Sequence, residues 1–247
     1  MRIALLSDIH GNLTALNAVL AELAAEQIDQ YLCLGDVVEH GPQPREALAR
    51  TLALNCPIIM GNTDERMLTI VDTATPPSPM RPGYEQDVWS AAQLTEADRT
   101  AIRMFVPTAH VTLAEDVTLL AFHGSPRHNN EFIGASLSDE ALGERLAGVQ
   151  ATILAGGHSH EQLLRRYGDI FVVNPGSIGA PFNVSDSGPQ RPAWAEYAVL
   201  DIQSRTQINI DFRRTPFDVE QHIQAYERSD MPHKHLWIKE WLDLNNE

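Results

Sequence analysis

Hydrophobic positions in the first third of the chain come as short runs alternating with helical stripes. Residues 3–6, Ile-Ala-Leu-Leu, form an apolar run that stops abruptly at Ser7, Asp8, Ile9, His10, Gly11 and Asn12. So short a run, ending in a polar turn, predicts a buried strand. Leu13, Leu16, Val19, Leu20 and Leu23 then recur at helical spacing and predict a helix over 13–27, with Asn12 or Thr14 near its start. Residues 30–34 are a second apolar run, closed by Gly35-Asp36. Strand, helix and strand in this order predict a parallel crossover. A helix over 45–54 follows Pro42 and Pro44, and a third short strand over 57–60 is closed by Gly61-Asn62-Thr63-Asp64.

The pattern then breaks. A helix is predicted over 65–71, after which Pro76, Pro77, Pro79 and Pro82 exclude regular structure. Helices follow over 84–93 and 96–104, the second opening with Thr95-x-x-Asp98, a capping-box-like start. Residues 72–107 therefore read as a helical excursion over one edge of the sheet, either overhanging the site or a plain surface insertion. Downstream the pattern predicts a hairpin (110–113 and 117–122), a helix over 138–146 capped by Ser138, a strand over 151–155 and a second hairpin (162–167 and 170–174). Residues 179–193 are rich in Gly, Pro and Ser and are expected to be mobile. Two alternating strands, 196–202 and 207–213, precede helices over 217–228 and 235–244, the latter carrying Trp237 and Trp241 on a docking face. The whole, 1–247, reads as one domain with C-terminal helices over 217–244.

Composition narrows the partners. With 247 residues, 43% of them apolar, the chain can bury a substantial core. A net charge of −15 argues against a nucleic-acid polymer or an anionic membrane as partner. It leaves room for a small phosphate ester, because divalent cations make a pocket locally positive on an acidic protein. No apolar run reaches membrane-spanning length, and the first is interrupted after four residues, unlike a signal peptide. Cys33 and Cys56 read as small buried apolar residues rather than a disulfide, and a cytoplasmic location is expected.

The chemistry lies at the strand ends. Asp8 and His10 stand two apart, and residues so spaced in extended backbone point the same way, as a metal chelate or an acid–base pair does. The other runs end in Gly35-Asp36, Gly61-Asn62, His123-Gly124 and Gly157-His158-Ser159-His160. The carboxyl ends of parallel strands gather along one sheet edge, where ligands bind, and glycines allow the tight turns this needs. Two carboxylates, one amide and four imidazoles, with no thiolate, suit Mn²⁺, Fe, Zn²⁺, Co²⁺ or Ni²⁺. Seven ligands are too many for one such ion with an open position. Two ions about 3.5–4 Å apart, sharing a carboxylate, are the arrangement for in-line displacement at phosphorus. Arg127, after a ligand strand, is either a clamp on a phosphate oxygen or half of a surface salt bridge. His40, close after Asp36, either faces the pocket or sits in a solvated loop. His110, His128, His222, His233 and His235 have no partner pattern and read as structural or exposed.

Together these residues resemble the signature of the calcineurin-like metallophosphoesterases: D-x-H at Asp8 and His10, GD at Asp36, GN at Asn62, then His123, and G-H-x-H at His158 and His160. Val172-Val173-Asn174-Pro175-Gly176-Ser177 and His123-Gly124-Ser125-Pro126-Arg127 further resemble the family's bacterial and archaeal small-phosphodiesterase branch. The resemblance implies a four-layer α/β/β/α sandwich of two mixed β-sheets, the second built from the later strands. It implies that Asp8, His10 and His160 hold one divalent ion and Asn62, His123 and His158 the other, with Asp36 bridging. Asp36, Asn62 and His123 are the expected catalytic residues, around a hydroxide bridging the two metals. Three departures bear on substrate. Many members have His after the GN asparagine, where it binds phosphate and protonates the leaving group; Thr63 stands here and offers a neutral hydroxyl. Glu39-His40-Gly41-Pro42 replaces a frequent Gly-Tyr-Gly-Pro, and Phe182 lies near where an Arg is frequent. The expected substrate contacts are Arg127, Thr63 and His40. A non-catalytic metal-binding scaffold on the same fold would show ligand loss, and all seven ligands are present. A phosphoprotein or dinucleoside-polyphosphate phosphatase is the rival within the enzyme class.

Overall fold

A computed structural model describes residues 1–70, 82–181, 183–185 and 188–242. The prolines at 76, 77 and 79, the expected Arg-equivalent position Phe182 and the tail beyond Leu242 lie outside the described residues.

In the first part, β1 (Arg2–Leu6) leads through α1 (Leu13–Leu23) to β2 (Gln30–Cys33), which pairs parallel with β1, Leu5 opposite Leu32. The side chain of Asn12 caps α1 by accepting from the Ala15 N–H. After α2 (Pro44–Leu52) the expected third strand shrinks to isolated bridges, Cys33 with Ile58 and Ile59 with Val106. The next helix, α3 (Asn62–Thr69), begins three residues earlier than the pattern predicts, with Gly61 as its N-cap and the Asp64 carboxylate accepting from the Gly61 N–H (3.4 Å). Then come α4 (Pro82–Gln93) and α5 (Glu96–Ile102), whose cap is Thr95. The bridge at Val106 lays the end of this excursion along the edge beside residues 58–60.

The second sheet is built from β3 (Ala109–Ala114), β4 (Val117–Ala121), β5 (Ile153–Ala155), β6 (Gln162–Tyr167) and β7 (Ile170–Pro175), with α6 (Asp139–Arg145) between β4 and β5. Its order is β3-β4-β5-β7-β6, parallel in the middle and antiparallel at both edges. A small ladder, β8 (Asn183–Ser185) with β9 (Gly188–Gln190), comes next. The long hairpin of β10 (Trp194–Ser204) and β11 (Gln207–Pro216) then returns to the first sheet, in the order β11-β10-β1-β2. The second sheet is thus built from later strands, β3–β7, as expected, while β10 and β11 join the first. The chain closes with α7 (Val219–Arg228) and α8 (Lys234–Leu242).

Alternation along the central strands produces four layers. Ile3 and Leu5 point into a core between the sheets, with Leu119, Ala121, Ile153, Ala155 and Val173 opposite. Ala4 and Leu6 point the other way, onto Leu16, Val19, Leu20 and Leu23 of α1. On the far face, Leu120, Leu154 and Val172 pack against Leu142 of α6 and Leu146. Truncating a fully buried residue such as Leu5 to Ala costs about 2–5 kcal/mol. Trp241 belongs to the chain's own packing: it is buried, with ring centroids 5.7 Å from Phe217 and 5.1 Å from His222. Cys33 and Cys56 are free, and no described helix is long and apolar enough to cross a membrane.

Candidate metal centre

The loops that come after β1, β2, β4 and β5 are stitched together by backbone hydrogen bonds. Asp8 N donates to Gly35 O (3.0 Å), His10 N to Asp36 O (2.9 Å) and Gly157 N to His123 O (2.8 Å), and Gly179 N, after β7, donates to Asp8 O (2.9 Å). The expected geometry of Asp8 and His10 needs correction. Their backbone is not extended: β1 ends at Leu6, and Asp8 (φ 52°) and His10 (φ 47°) are both left-handed. Asp36, His158 and His160 are left-handed too. Side chains converge here because the chain reverses at each of them. Such conformations cost about 1–3 kcal/mol each outside glycine and gather at functional sites. An added Cβ at Gly61 would collide with Asp36 Oδ1, so only glycine lets the start of α3 approach that carboxylate. There Thr63 N donates to Asp36 Oδ1 (2.9 Å), and the positive end of the helix faces the charge.

All seven residues read from the strand ends converge. His160 Nε2 lies 3.3 Å from Asp8 Oδ1 and 3.0 Å from His10 Nε2. His123 Nε2 lies 3.2 Å from Asp36 Oδ2 and 3.0 Å from Asn62 Oδ1. Asp36 Oδ2 is also 3.8 Å from His10 Nε2, so this carboxylate reaches both groups. Asp8, His10 and His160 form one set, and Asp36, His123 and His158 another; within each, the ligand atoms lie within 4.8 Å of one another.

Protonation tests whether cations fit. His123 Nδ1 lies 2.7 Å from Leu34 O, and His160 Nδ1 lies 2.7 Å from Ala180 O. A carbonyl only accepts, so both Nδ1 atoms carry hydrogen, and in the neutral ring each Nε2 presents a lone pair. Those Nε2 atoms face carboxylate and amide oxygens and one another, an arrangement that positive charge between them would favour. The titration behaviour agrees. Burial works against a charged His123, yet the Asp36 carboxylate outweighs it and lifts the ring to about 10. Burial likewise opposes Asp36, but His123 holds that carboxyl well below its ordinary value. A divalent ion held by these nitrogens would supply the same positive charge. Burial and His160 push His10 down, and burial and His123 push His158 down, which favours the neutral rings a metal site needs.

Several supporting residues escaped the sequence reading. Asp64, fully buried, accepts from Asp36 N (2.8 Å) and Val37 N (2.9 Å) and fixes the turn that presents Asp36. Burial, with Asp36 next, raises its pKa to about 7. The only signal was its place three residues after Gly61. Ser7 Oγ donates to Asp8 Oδ2 (2.5 Å), and Ser177 Oγ donates to Asp8 O (2.8 Å). Asn174 Nδ2 donates to Gly157 O (2.6 Å) and to Ser159 Oγ (3.0 Å), bracing the loop of His158 and His160.

The three expected substrate contacts fare differently. His40 stands beside His10, ring centroids 4.8 Å apart. The Arg127 guanidinium is turned onto Glu131 Oε1 (2.7 Å) and Glu144 O (3.1 Å), the surface-pair alternative. The Thr63 hydroxyl is buried without a partner among the described residues; what Thr63 gives the site is its backbone N–H.

Comparison with known proteins places this geometry. The family model for the calcineurin-like phosphoesterase superfamily domain matches residues 1–205. The chain is similar, at 25% identity over 264 residues, to uncharacterized protein MJ0912 of Methanocaldococcus jannaschii, covering 98% of this chain and 97% of the relative. Among solved structures it is similar to a metallophosphoesterase from Sphaerobacter thermophilus, with TM-score 0.76, 22% identity and 98% of each chain covered. A hypothetical protein from Pyrococcus horikoshii OT3, PH1004, gives TM-score 0.79 and 22% identity over 96% of each chain. At that identity these two structures show the shared fold.

Proposed function

The chain belongs to the calcineurin-like phosphoesterase superfamily, and we propose that it hydrolyses small phosphate esters at a centre of two divalent metal ions. The observation that carries this reading is the convergence of imidazole Nε2 atoms on carboxylate oxygens, with the Nδ1 atoms of His123 and His160 held against backbone carbonyls. In this reading Asp8, His10 and His160 hold one ion, Asn62, His123 and His158 hold the other, and Asp36 lies between. Mn, Fe, Zn, Co and Ni all suit these donors. When bound, such ions act as Lewis acids on the phosphoryl oxygens and make water acidic enough to react near neutral pH.

The chain's own groups do the positioning. The carbonyls of Leu34 and Ala180 fix the tautomers of His123 and His160, an arrangement that also makes the rings better ligands. Asp64 and the Thr63 N–H hold Asp36 in place. Arg127 is engaged elsewhere and does not clamp a phosphate, so in this reading the metal ions carry the substrate's charge. The test strips the protein with chelator, reloads it with each metal singly, and measures bound metal and hydrolysis of 4-nitrophenyl phosphate and bis(4-nitrophenyl) phosphate. Two ions per chain with turnover of either ester is the expected result. Two ions without turnover would make the protein a scaffold, and a saturating single ion would end the two-metal reading.

A further inference from the structure

Beside His10 lies a cavity of about 60 Å³. The loops carrying His10, His40 and Gly179 form one wall, and α4, α7 and α8 close it. Four of its lining residues carry a buried polar atom with no partner among the described residues: His10 Nδ1, Gln86 Oε1, His222 Nδ1 and Trp237 Nε1. His10, Gln86 and His222 are each 3% exposed or less. Buried polar groups are nearly always hydrogen-bonded, and an orphan costs about 1–3 kcal/mol. Four around one cavity mark a place built for an occupant.

The atoms specify that occupant. With Nε2 given to an ion at the cluster, the His10 proton would sit on Nδ1, a donor. Trp237 Nε1–H is a second fixed donor. Gln86 gives its N–H groups to His40 O and Met231 Sδ, which leaves Oε1 as an acceptor. Burial, with Arg191 next, pushes His222 down to about 3, so its Nδ1 serves as donor or acceptor without charge. The one guanidinium in the wall, Arg191, is paired with Glu240 (3.0 Å) and donates to Ala180 O (2.9 Å), so the chamber favours neither sign. Hydroxyls are the most compact neutral groups that both donate and accept. At about 10–15 Å³ of such space per water, the chamber has room for about four waters or a three-carbon polyol.

We propose that this chamber binds a neutral polyhydroxy group, hydrogen-bonded to the back of His10 and to Gln86, His222 and Trp237. The same chemistry is offered by the alcohol part of an ester held at the metal centre, where the inference rests on the phosphoesterase reading, and by a free small polyol. His160 and Arg191 share the Ala180 carbonyl, so the chamber wall and the cluster are mechanically joined.

The experiment uses metal-loaded protein and two 4-nitrophenyl phosphodiesters, one bearing 2,3-dihydroxypropyl and one bearing propyl. The expected kcat/KM ratio favours the diol about ten-fold or more, since a site built to bond hydroxyls discriminates against an analogue lacking them. In parallel, glycerol is titrated while the indole N–H resonance of Trp237 is followed, and a saturable shift is expected. His222→Phe, which keeps the aromatic packing, should lower both the ratio and the shift, and Gln86→Met serves if that variant does not fold. Competition by glycerol against the diol ester assigns the chamber to the substrate's alcohol; a shift without competition assigns it to a free polyol. A ratio near one with no shift overturns the inference and leaves water as the occupant. Failure of both esters to react would strike the phosphoesterase reading alone, because the Trp237 resonance still reports on the chamber.

Discussion

The ring of His10 divides two regions built on opposite principles. On its Nε2 side, lone pairs crowd against carboxylates, and each outward-facing atom of His123, His160 and Asp8 is tied to a backbone or hydroxyl partner. On its Nδ1 side, four buried polar atoms meet no partner among the described residues. The first region is over-determined in position and short of positive charge; the second is short of partners and neutral. Rigid placement with unmet charge suits metal ions, whose ligands must be pre-aimed. Unmet hydrogen-bonding capacity around a small chamber suits a small polar molecule.

The largest expected effect breaks the first region. Asp36→Asn keeps the shape and removes the charge that faces both groups. Losses beyond the metal-binding shell already cost about 10–100-fold, so this one should cost more than about 100-fold in kcat/KM, with fewer than two ions retained. Two ions bound with wild-type affinity would deny Asp36 its shared place. Asp64→Asn probes the support beneath. The amide has one accepting oxygen where the carboxylate serves Asp36 N and Val37 N with two, so metal affinity should fall within that 10–100-fold range. Titration of metal into the apo variant, with circular dichroism to confirm folding, reads it. An unchanged affinity would make Asp64 a fold residue only.

These two regions also differ in how far the sequence discloses them. The seven cluster residues sit at ends of short apolar runs beside glycines, a local pattern visible without a fold. Their mutual approach came out by another route than alternation, through left-handed turns at Asp8, His10 and Asp36 that no spacing rule announces. The order β11-β10-β1-β2 was equally hidden, since an alternating hairpin carries no mark of the sheet it joins. The chamber was invisible. Gln86, His222 and Trp237 come from three separate helices; Gln86 and His222 read as ordinary core or surface positions and Trp237 as part of a docking face. His222, taken as structural or exposed, is 1% exposed, with Nδ1 unpartnered among the described residues.

Glu39 lies in the loop between the two regions and sharpens the contrast through pH. Its carboxyl is buried, with Oε2 unpartnered among the described residues; burial first, and Asp87 next, raise its pKa well above the ordinary value, against the pull of Arg66. The folded chain therefore keeps a proton that the unfolded chain releases, so stability falls as pH rises above the unfolded value. Glu39→Gln abolishes that titration. Its gain in Tm over the wild type, measured on chelator-treated protein, should be larger at pH 8 than at pH 5. A gain independent of pH would mean that Glu39 is ionised throughout, held by Arg66.

The smallest expected effect lies at Thr63. A substrate contact needs an exposed hydroxyl, yet Thr63 Oγ1 is buried and bonds to no described residue, while its backbone N–H holds Asp36 Oδ1 at 2.9 Å. Valine has nearly the same shape and leaves the backbone untouched. Exchanging an unpartnered buried hydroxyl for a methyl of similar size is neutral or stabilising, because no hydrogen bond is lost and a desolvated polar group is removed. Thr63→Val should therefore leave kcat/KM for both nitrophenyl esters within about two-fold and keep or raise Tm. Thr63→Pro is the informative partner. It deletes the N–H while proline remains tolerated in the first turn of a helix, so metal affinity should fall as it does for Asp64→Asn. A loss of activity in the valine variant at full metal content would restore the hydroxyl as a substrate contact, and would require Thr63 to rotate outward when substrate binds.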